Sequence, residues 1–421
     1  MADLCKNPEK QTCRDRFRPV EEIRRDFPIL AGGMAYLDNA ATTQKPLCVM
    51  EAVERFYKEE NANPLRGLYE LSAAATKEYE DAREAVRRFI GASAPEEIIF
   101  TRNATEGLNL AAYSWALNRL RPGDRIMTSV EEHHSNLLPW QMAAARTGAE
   151  LYYLEPDREG WISEETFRAA LKPGTKLVAM TQVSNVLGRE NDIRLFASIA
   201  HEAGALFVCD GAQSVPHMKV DVRELDVDFL AFSGHKMLGP MGIGVLYGKK
   251  ALLEEMDPFL RGGEMIRSVT REGASWAQLP EKFEAGTVNA AGAAGLHAAI
   301  RYYEKLGWGR ITETERELTR RAMEGMSRIP FVKILGSPDP DRHSAIVTFT
   351  VEGVHPHDMA AIMDEDGICV RAGHHCAQPL MQFLGVSSSA RASFAFYNTE
   401  EEIDRFLACL SSLRRRMGYE D

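Results

Sequence analysis

The chain has 421 residues, 45% hydrophobic and 26% charged, with a formal net charge of −11. That length allows a large core and about two or three domains, the acidic balance argues against nucleic acid as a partner because phosphate binding needs a basic face, and no apolar run approaches the roughly 20 residues of a membrane span. Seven cysteines without C-x-x-C pairs argue against a disulfide framework and a zinc cluster, and the opening MADLCKNPEK lacks a signal peptide's apolar core, so a cytoplasmic protein is expected.

In chain order, Cys5 and Cys13 sit in an N-terminal arm. Glu96 to Ala112 (EEIIFTRNATEGLNLAA) runs from a strand into a helix, with Thr105 and Glu106 at the helix start. Free backbone N–H groups and the positive dipole end make that start a phosphate site. The Thr105 hydroxyl is suited to cap the helix, to bind the phosphate, or to do both. A strand RIMTSV from Arg125 leads to VEEHHSNLLPW, where His133 or His134 is able to stack on an aromatic ring. No third ligand follows at zinc spacing, so no metal is expected.

Further short β-branched runs, KLVAMT from Lys176, ALFVC from Ala205 and DFLAF from Asp228, alternate with helical stretches such as Glu190 to Ala203. This alternation predicts a mainly parallel sheet covered on both faces, an α/β fold. Asp210 ends one such strand, where ligands bind in open α/β sheets. In FSGHKMLGPMGIGVLYG, Lys236 lies in a turn between two apolar runs. A lysine beside a glycine-rich turn also suits a solvated surface. A fixed turn, however, is what an amine needs to carry pyridoxal phosphate, and Asp210 would keep the ring nitrogen of that cofactor protonated.

From about residue 300, a charged helix Arg301 to Met326 leads into strands VKIL, AIVTFT, ICV and RASFAF and a last helix from Glu400 to Arg415. This predicts a smaller α/β domain. Within it, Cys376 lies in a Gly/His/Pro-bearing loop, ICVRAGHHCAQPLM, the polar setting of a reactive thiol, whereas Cys209 and Cys369 lie in apolar strands. Arg371 and Arg391 flank that loop, and an arginine fork is the usual clamp for a carboxylate.

With these segments in view, the chain resembles the class V, fold type I aminotransferase-like enzymes and, within them, the SufS-type (class II) cysteine desulfurases. The likeness runs from Tyr36 in YLDNAATTQKP to Tyr397 in FYNTEEEI, and RAGHHCAQPL is its specific signature. The resemblance implies a fold type I architecture, a large domain with a mainly parallel seven-stranded sheet and a smaller C-terminal α/β domain. The expected division is an arm over residues 1–30 joining the small domain, a cofactor-binding domain over 31–299, and a domain over 300–421 that carries the nucleophilic cysteine.

By the same likeness Lys236 carries pyridoxal phosphate, Asp210 pairs with its ring nitrogen, His133 stacks on the ring and moves protons at the substrate, and Gln213 bonds its phenolate oxygen. Thr105, Ser233 and His235 hold the phosphate, joined by Thr287 from the second subunit of a homodimer. Arg391, supported by Arg371, binds the carboxylate of L-cysteine, with Asn185 nearby. Cys376 is the nucleophile that takes the sulfur, for delivery to iron–sulfur cluster assembly. His357, in VHPHD, matches a histidine with which one branch of the family displaces a ligand on a zinc-bearing SufU-type acceptor; SufE-type partners fit less well. The rival readings are a selenocysteine lyase or cysteine sulfinate desulfinase, which would share every cofactor residue, and a scaffold without turnover.

The chain departs from the family pattern twice. Ala104 precedes Thr105 where a second threonine is common, and Leu65-Arg66-Gly67-Leu68-Tyr69 keeps the arginine but lacks the two histidines usual there.

Overall fold

The computed structural model describes residues 18–65 and 67–419. Cys5, Cys13, Arg66 and residues 1–17 of the expected arm lie outside the described residues.

In chain order the strands are β1 (Ala35–Tyr36), β2 (Ile98–Thr101), β3 (Arg125–Ser129), β4 (Glu150–Leu154), β5 (Thr175–Thr181), β6 (Leu206–Asp210), β7 (Phe229–Ser233), β8 (Gly244–Gly248), β9 (Ile266–Val269), β10 (Ala274–Trp276), β11 (Val332–Ile334), β12 (Ile346–Val351), β13 (Ile368–Cys369), β14 (Arg371–Gly373) and β15 (Ser389–Ser393). Seven of them form one sheet in the order β2-β8-β7-β6-β5-β3-β4, in which only β8 runs against the rest. Strands β7 and β8 are buried at every position, as a sheet packed on both faces requires. The seven-stranded, mainly parallel sheet expected from the sequence is therefore present.

Helix Glu70–Phe89 is fixed to this sheet by a buried ion pair. Arg83 donates to both carboxylate oxygens of Glu284, at 2.8 and 2.9 Å, and to the Ile98 carbonyl at 2.8 Å. Glu284 also accepts from the Tyr79 hydroxyl and the Phe100 N–H. With its hydrogen bonds met, such a pair holds orientation, and removing one partner costs about 3–5 kcal/mol. The contact sets the position of β2, whose end leads into helix Ala104–Ala111.

The C-terminal part holds a four-stranded antiparallel sheet, β11-β12-β15-β14. Near the start of the described chain, β1 pairs in parallel with β13, Phe27 packs on Tyr397 at 4.5 Å, and Arg24 donates to the Tyr397 carbonyl at 2.8 Å. Among the described residues no helix is long and apolar enough to cross a membrane.

Three elements differ from the sequence reading. The helix expected from Arg301 to Met326 is two helices, Ala290–Leu306 and Trp308–Met326, broken at Gly307 with φ of 81°. Only glycine enters that region without steric cost. Strand β4 was not anticipated; it is an edge strand only partly buried, so it lacks the apolar run of its neighbours. The exposed hairpin β9–β10 likewise has no buried face to mark it.

Candidate active site

Strands β5, β6 and β7 end together, at Thr181, Asp210 and Ser233, and this edge of the sheet forms the wall of a cavity of about 180 Å3. Asp210 is 3% exposed and its carboxylate accepts one hydrogen bond, from the Ala212 N–H at 2.9 Å. Burial lifts it above the usual carboxylate range, an effect that Lys236 opposes. A carboxylate left in that state is stabilised when a cationic N–H lies against it.

Lys236 follows β7 in a short 3-10 turn, Gly234–Lys236. The turn runs so close to β8 that a side chain at Gly234 would come within 2.9 Å of the Ile243 carbonyl. Burial lowers the Lys236 amine to about 8, against the pull of Asp210, so a useful fraction is neutral and nucleophilic near neutral pH. His133 also faces the cavity, and burial, then the charge of Lys236, lower it to about 3. Its Nδ1 accepts from the Ser135 N–H at 3.1 Å, which leaves Nε2 carrying the proton.

The Cys376 loop enters from the opposite side, after β14. His375 and Cys376 have φ of 53° and 56°, a region that costs a non-glycine residue energy unless its surroundings enforce it. They do so here. The Cys376 carbonyl accepts from the His134 N–H at 2.7 Å, the Gln378 N–H donates to His134 Nε2 at 3.3 Å, and the His375 carbonyl accepts from Asn185 Nδ2 at 2.7 Å. His375 Nε2 lies 3.0 Å from the Ser389 hydroxyl. Of the two histidines left open by the sequence, His133 lines the cavity and His134 fastens the loop.

Arg371 and Arg391 are direct cross-strand partners on β14 and β15. Like charges placed so repel, and Asp38 lies between them, 3.2 Å from Arg391 and 3.8 Å from Arg371. Arg391 is 2% exposed and donates to the Asn185 carbonyl at 2.8 Å, while its Nε has no partner. Such a guanidinium retains capacity for a second anion.

Eleven of the expected residues therefore share one cavity: Thr105, His133, Asn185, Asp210, Gln213, Ser233, His235, Lys236, Arg371, Cys376 and Arg391. Thr287, expected to serve a second subunit, is exposed and does not line this chain's cavity. His357 is exposed at the start of helix Pro356–Glu365, its ring 5.0 Å from that of His355 and outside the cavity lining. Sequence reasoning missed Asp38, His375 and the loop-fastening role of His134. The signal for Asp38 was its place in YLDNAA, at the start of the segment that carries the family likeness.

The polar atoms suit pyridoxal phosphate. On the cavity wall Gln213 Nε2 donates to the Ala40 carbonyl at 2.8 Å, which fixes the amide and leaves the second N–H of that nitrogen to meet a phenolate oxygen. Helix Ala104–Ala111 points its N-terminus at the cavity, with Asn103 capping it through the Glu106 N–H. There the Thr105 hydroxyl meets that of Ser135 at 2.7 Å, and the Ser233 hydroxyl accepts from the Ala104 N–H at 2.9 Å. An anion-binding end and a carboxylate end, with an amine between, match the phosphate, ring nitrogen and aldehyde of that cofactor.

Known proteins resemble this chain over most of its length. A curated relative from Halalkalibacterium halodurans, described as a probable cysteine desulfurase, is 49% identical over 405 residues, 95% of this chain and 99% of its own length. Among solved structures, an apo cysteine desulfurase from Thermococcus onnurineus NA1 superposes with a TM-score of 0.92 at 44% identity, covering 95% of this chain and 99% of the other. The cysteine desulfurase CsdA from Escherichia coli gives 0.88 at 38% identity, over the same shares. The aminotransferase class-V family model matches residues 35–406, a span that takes in both sheets and every residue lining the cavity. The chain belongs to the class-V aminotransferase family.

Proposed function

We propose that this protein is a pyridoxal-phosphate-dependent cysteine desulfurase that converts L-cysteine to L-alanine and keeps the sulfur as a persulfide on Cys376. The observation that carries this reading is the position of Cys376 on the same cavity as Lys236 and Arg391, on a loop fastened at three backbone points.

When bound, pyridoxal phosphate supplies an electron sink for the charge left on the substrate when its α-proton is removed. Thr105, Ser233 and His235 would hold its phosphate, Asp210 its ring nitrogen and Gln213 its phenolate oxygen, with His133 against the ring. Arg391, oriented by Asp38 and the Asn185 carbonyl, binds the substrate carboxylate through charge-assisted hydrogen bonds. Lys236 takes the proton from the substrate Cα, a role that its lowered pKa permits near pH 8. The Cys376 thiolate then attacks the substrate sulfur: an S–S bond forms, the Cβ–S bond breaks, and its electron pair stays with the carbon skeleton, which leaves as alanine after protonation. The neutral His133 presents its Nε2 proton to the cavity and is the proposed proton carrier at the substrate.

Incubation with L-cysteine in the absence of reductant tests this. One additional sulfur on the Cys376 peptide, with alanine released in matching amount, is the expected mass-spectrometric result. Alanine without the adduct would favour a lyase that does not use Cys376, such as a selenocysteine lyase, and neither product would favour a scaffold.

The same reading divides the chain into a cofactor-binding part over 31–299 and a smaller part over 300–421, and makes it a cytoplasmic homodimer in which Thr287 reaches the phosphate of the partner subunit. Exposed Thr287 and the exposed apolar Met241, Leu260 and Val269 are available for that contact. It also assigns the sulfur to iron–sulfur cluster assembly through a SufU-type acceptor, whose zinc would be met by His357. An exposed imidazole on a helix start is free to coordinate. His357→Ala should slow sulfur transfer to such an acceptor about tenfold or more, in line with losses on removing a metal-site partner, while turnover with a small thiol stays as in wild type. Equal loss in both assays would remove the zinc role.

A further inference from the structure

The loop that carries Asn185 to the catalytic cavity has a second face. It turns at Gly188, whose carbonyl accepts from the Ser344 N–H at 2.7 Å, and then directs Arg189 away from the cavity. Arg189 lies in a separate cleft of about 580 Å3, between this loop on one side and helix Trp308–Met326 and residues 341–345 on the other.

Arg189 is 8% exposed. Its guanidinium sits 4.5 Å from the centre of the Trp161 ring, its Nε has no partner, and no hydrogen bond or ion pair to a described residue engages its other nitrogens. A buried Nε–H without an acceptor is costly unless something fills the space in front of it. Gln182, 4% exposed in the same cleft, has an amide whose Oε1 is likewise unpartnered. Two unsatisfied polar side chains, each more than nine-tenths buried, thus face one cavity.

The charges around them point to the sign of the occupant. Arg342 and Arg316 line the mouth, and burial together with the charge of Arg342 lowers Arg189 from its ordinary range. Three of the four lining carboxylates are engaged within the protein, while Asp157, Glu131 and Glu159 act on Arg189 from outside the lining. Glu315 bonds His217 at 2.9 Å, Asp341 pairs with Arg320, and Asp192 caps the following helix through the Leu195 N–H at 3.1 Å. Glu190 is held above the usual carboxylate range by burial and by Asp192.

We propose that this cleft binds a small oxyanion, a phosphate or a polycarboxylate. Arg189 is its buried contact, Gln182 Oε1 accepts from a hydroxyl of the ligand, and Arg316 and Arg342 are the charges at the entrance. The site is separate from the catalytic cavity, and the proposal does not depend on the reaction assigned there.

Calorimetric titration of the cofactor-loaded protein with inorganic phosphate and, separately, with citrate tests this; loading occupies the phosphate end of the catalytic cavity, and the Arg189→Met variant separates heat from this cleft from heat at the Arg391 clamp. Saturable binding of one equivalent is expected for at least one anion. Phosphate alone would assign phosphate esters, and citrate alone carboxylates. Arg189→Met keeps an unbranched chain against Trp161 but removes the charge, and should weaken binding at least about tenfold, the value of one charge-assisted contact. Exposed Arg342→Ala, which spares the interior, should weaken it about threefold. No saturable binding of either anion, or affinities in both variants equal to wild type, would overturn the proposal.

Discussion

Lys236→Ala is expected to lower alanine release from L-cysteine about 10^4-fold, the upper end of what a positioned proton-transfer group contributes, and to remove the visible absorption of a covalently held cofactor. The reason is local. Among the described residues no other lysine lines the cavity, so no neighbouring amine there can take its place. The wild-type amine should also couple to added pyridoxal phosphate faster as pH rises: it is lowered to about 8, so below that pH its neutral fraction grows about tenfold per unit. The fold should survive the change, because burying an unpaired amine opposes stability rather than supporting it, and an unchanged thermal midpoint would show that activity was lost without unfolding. A variant that still releases alanine within tenfold of wild type would refute the assignment.

Cys376→Ser should abolish the sulfur adduct and reduce alanine release about 10^3-fold or more, as expected when one member of a catalytic unit is removed, while leaving the cofactor absorption intact. Serine is close in size and keeps the loop's contacts, since these run through the backbone of Cys376 and its neighbours rather than through its sulfur. Lost activity would then report chemistry and not loop collapse. Wild-type alanine release in this variant would mean that the sulfur leaves without visiting the protein.

Much of the site was legible because its residues sit at strand ends and turns, where short motifs mark them. Asp210 closes an apolar run and Lys236 follows one, and the sheet that aligns these ends was readable from the alternation of strands and helices. Pairings between distant segments were not. Asp38 acquires its role from Arg391 on β15, and neither residue's surroundings in the chain reveal the other. The break at Gly307 escaped for a different reason: a glycine within a helix costs only about 1 kcal/mol, so the helical pattern on either side masked it. Arg189 gave no signal either, because its isolation depends on which side of the loop faces the catalytic cavity.

Asp38 and Arg391 also bear on how the protein is made. The cavity takes one wall from near the beginning of the chain and another from near its end. During synthesis Asp210 and Lys236 leave the ribosome before Arg391, by roughly 8–36 seconds at about 5–20 residues per second. Until then the seven strands can assemble, but the clamp between β14 and β15 does not exist. Capture of a complete set of ligands is therefore an event of the finished polypeptide, and a ribosome stalled short of Arg391 would hold a folded sheet with half a pocket.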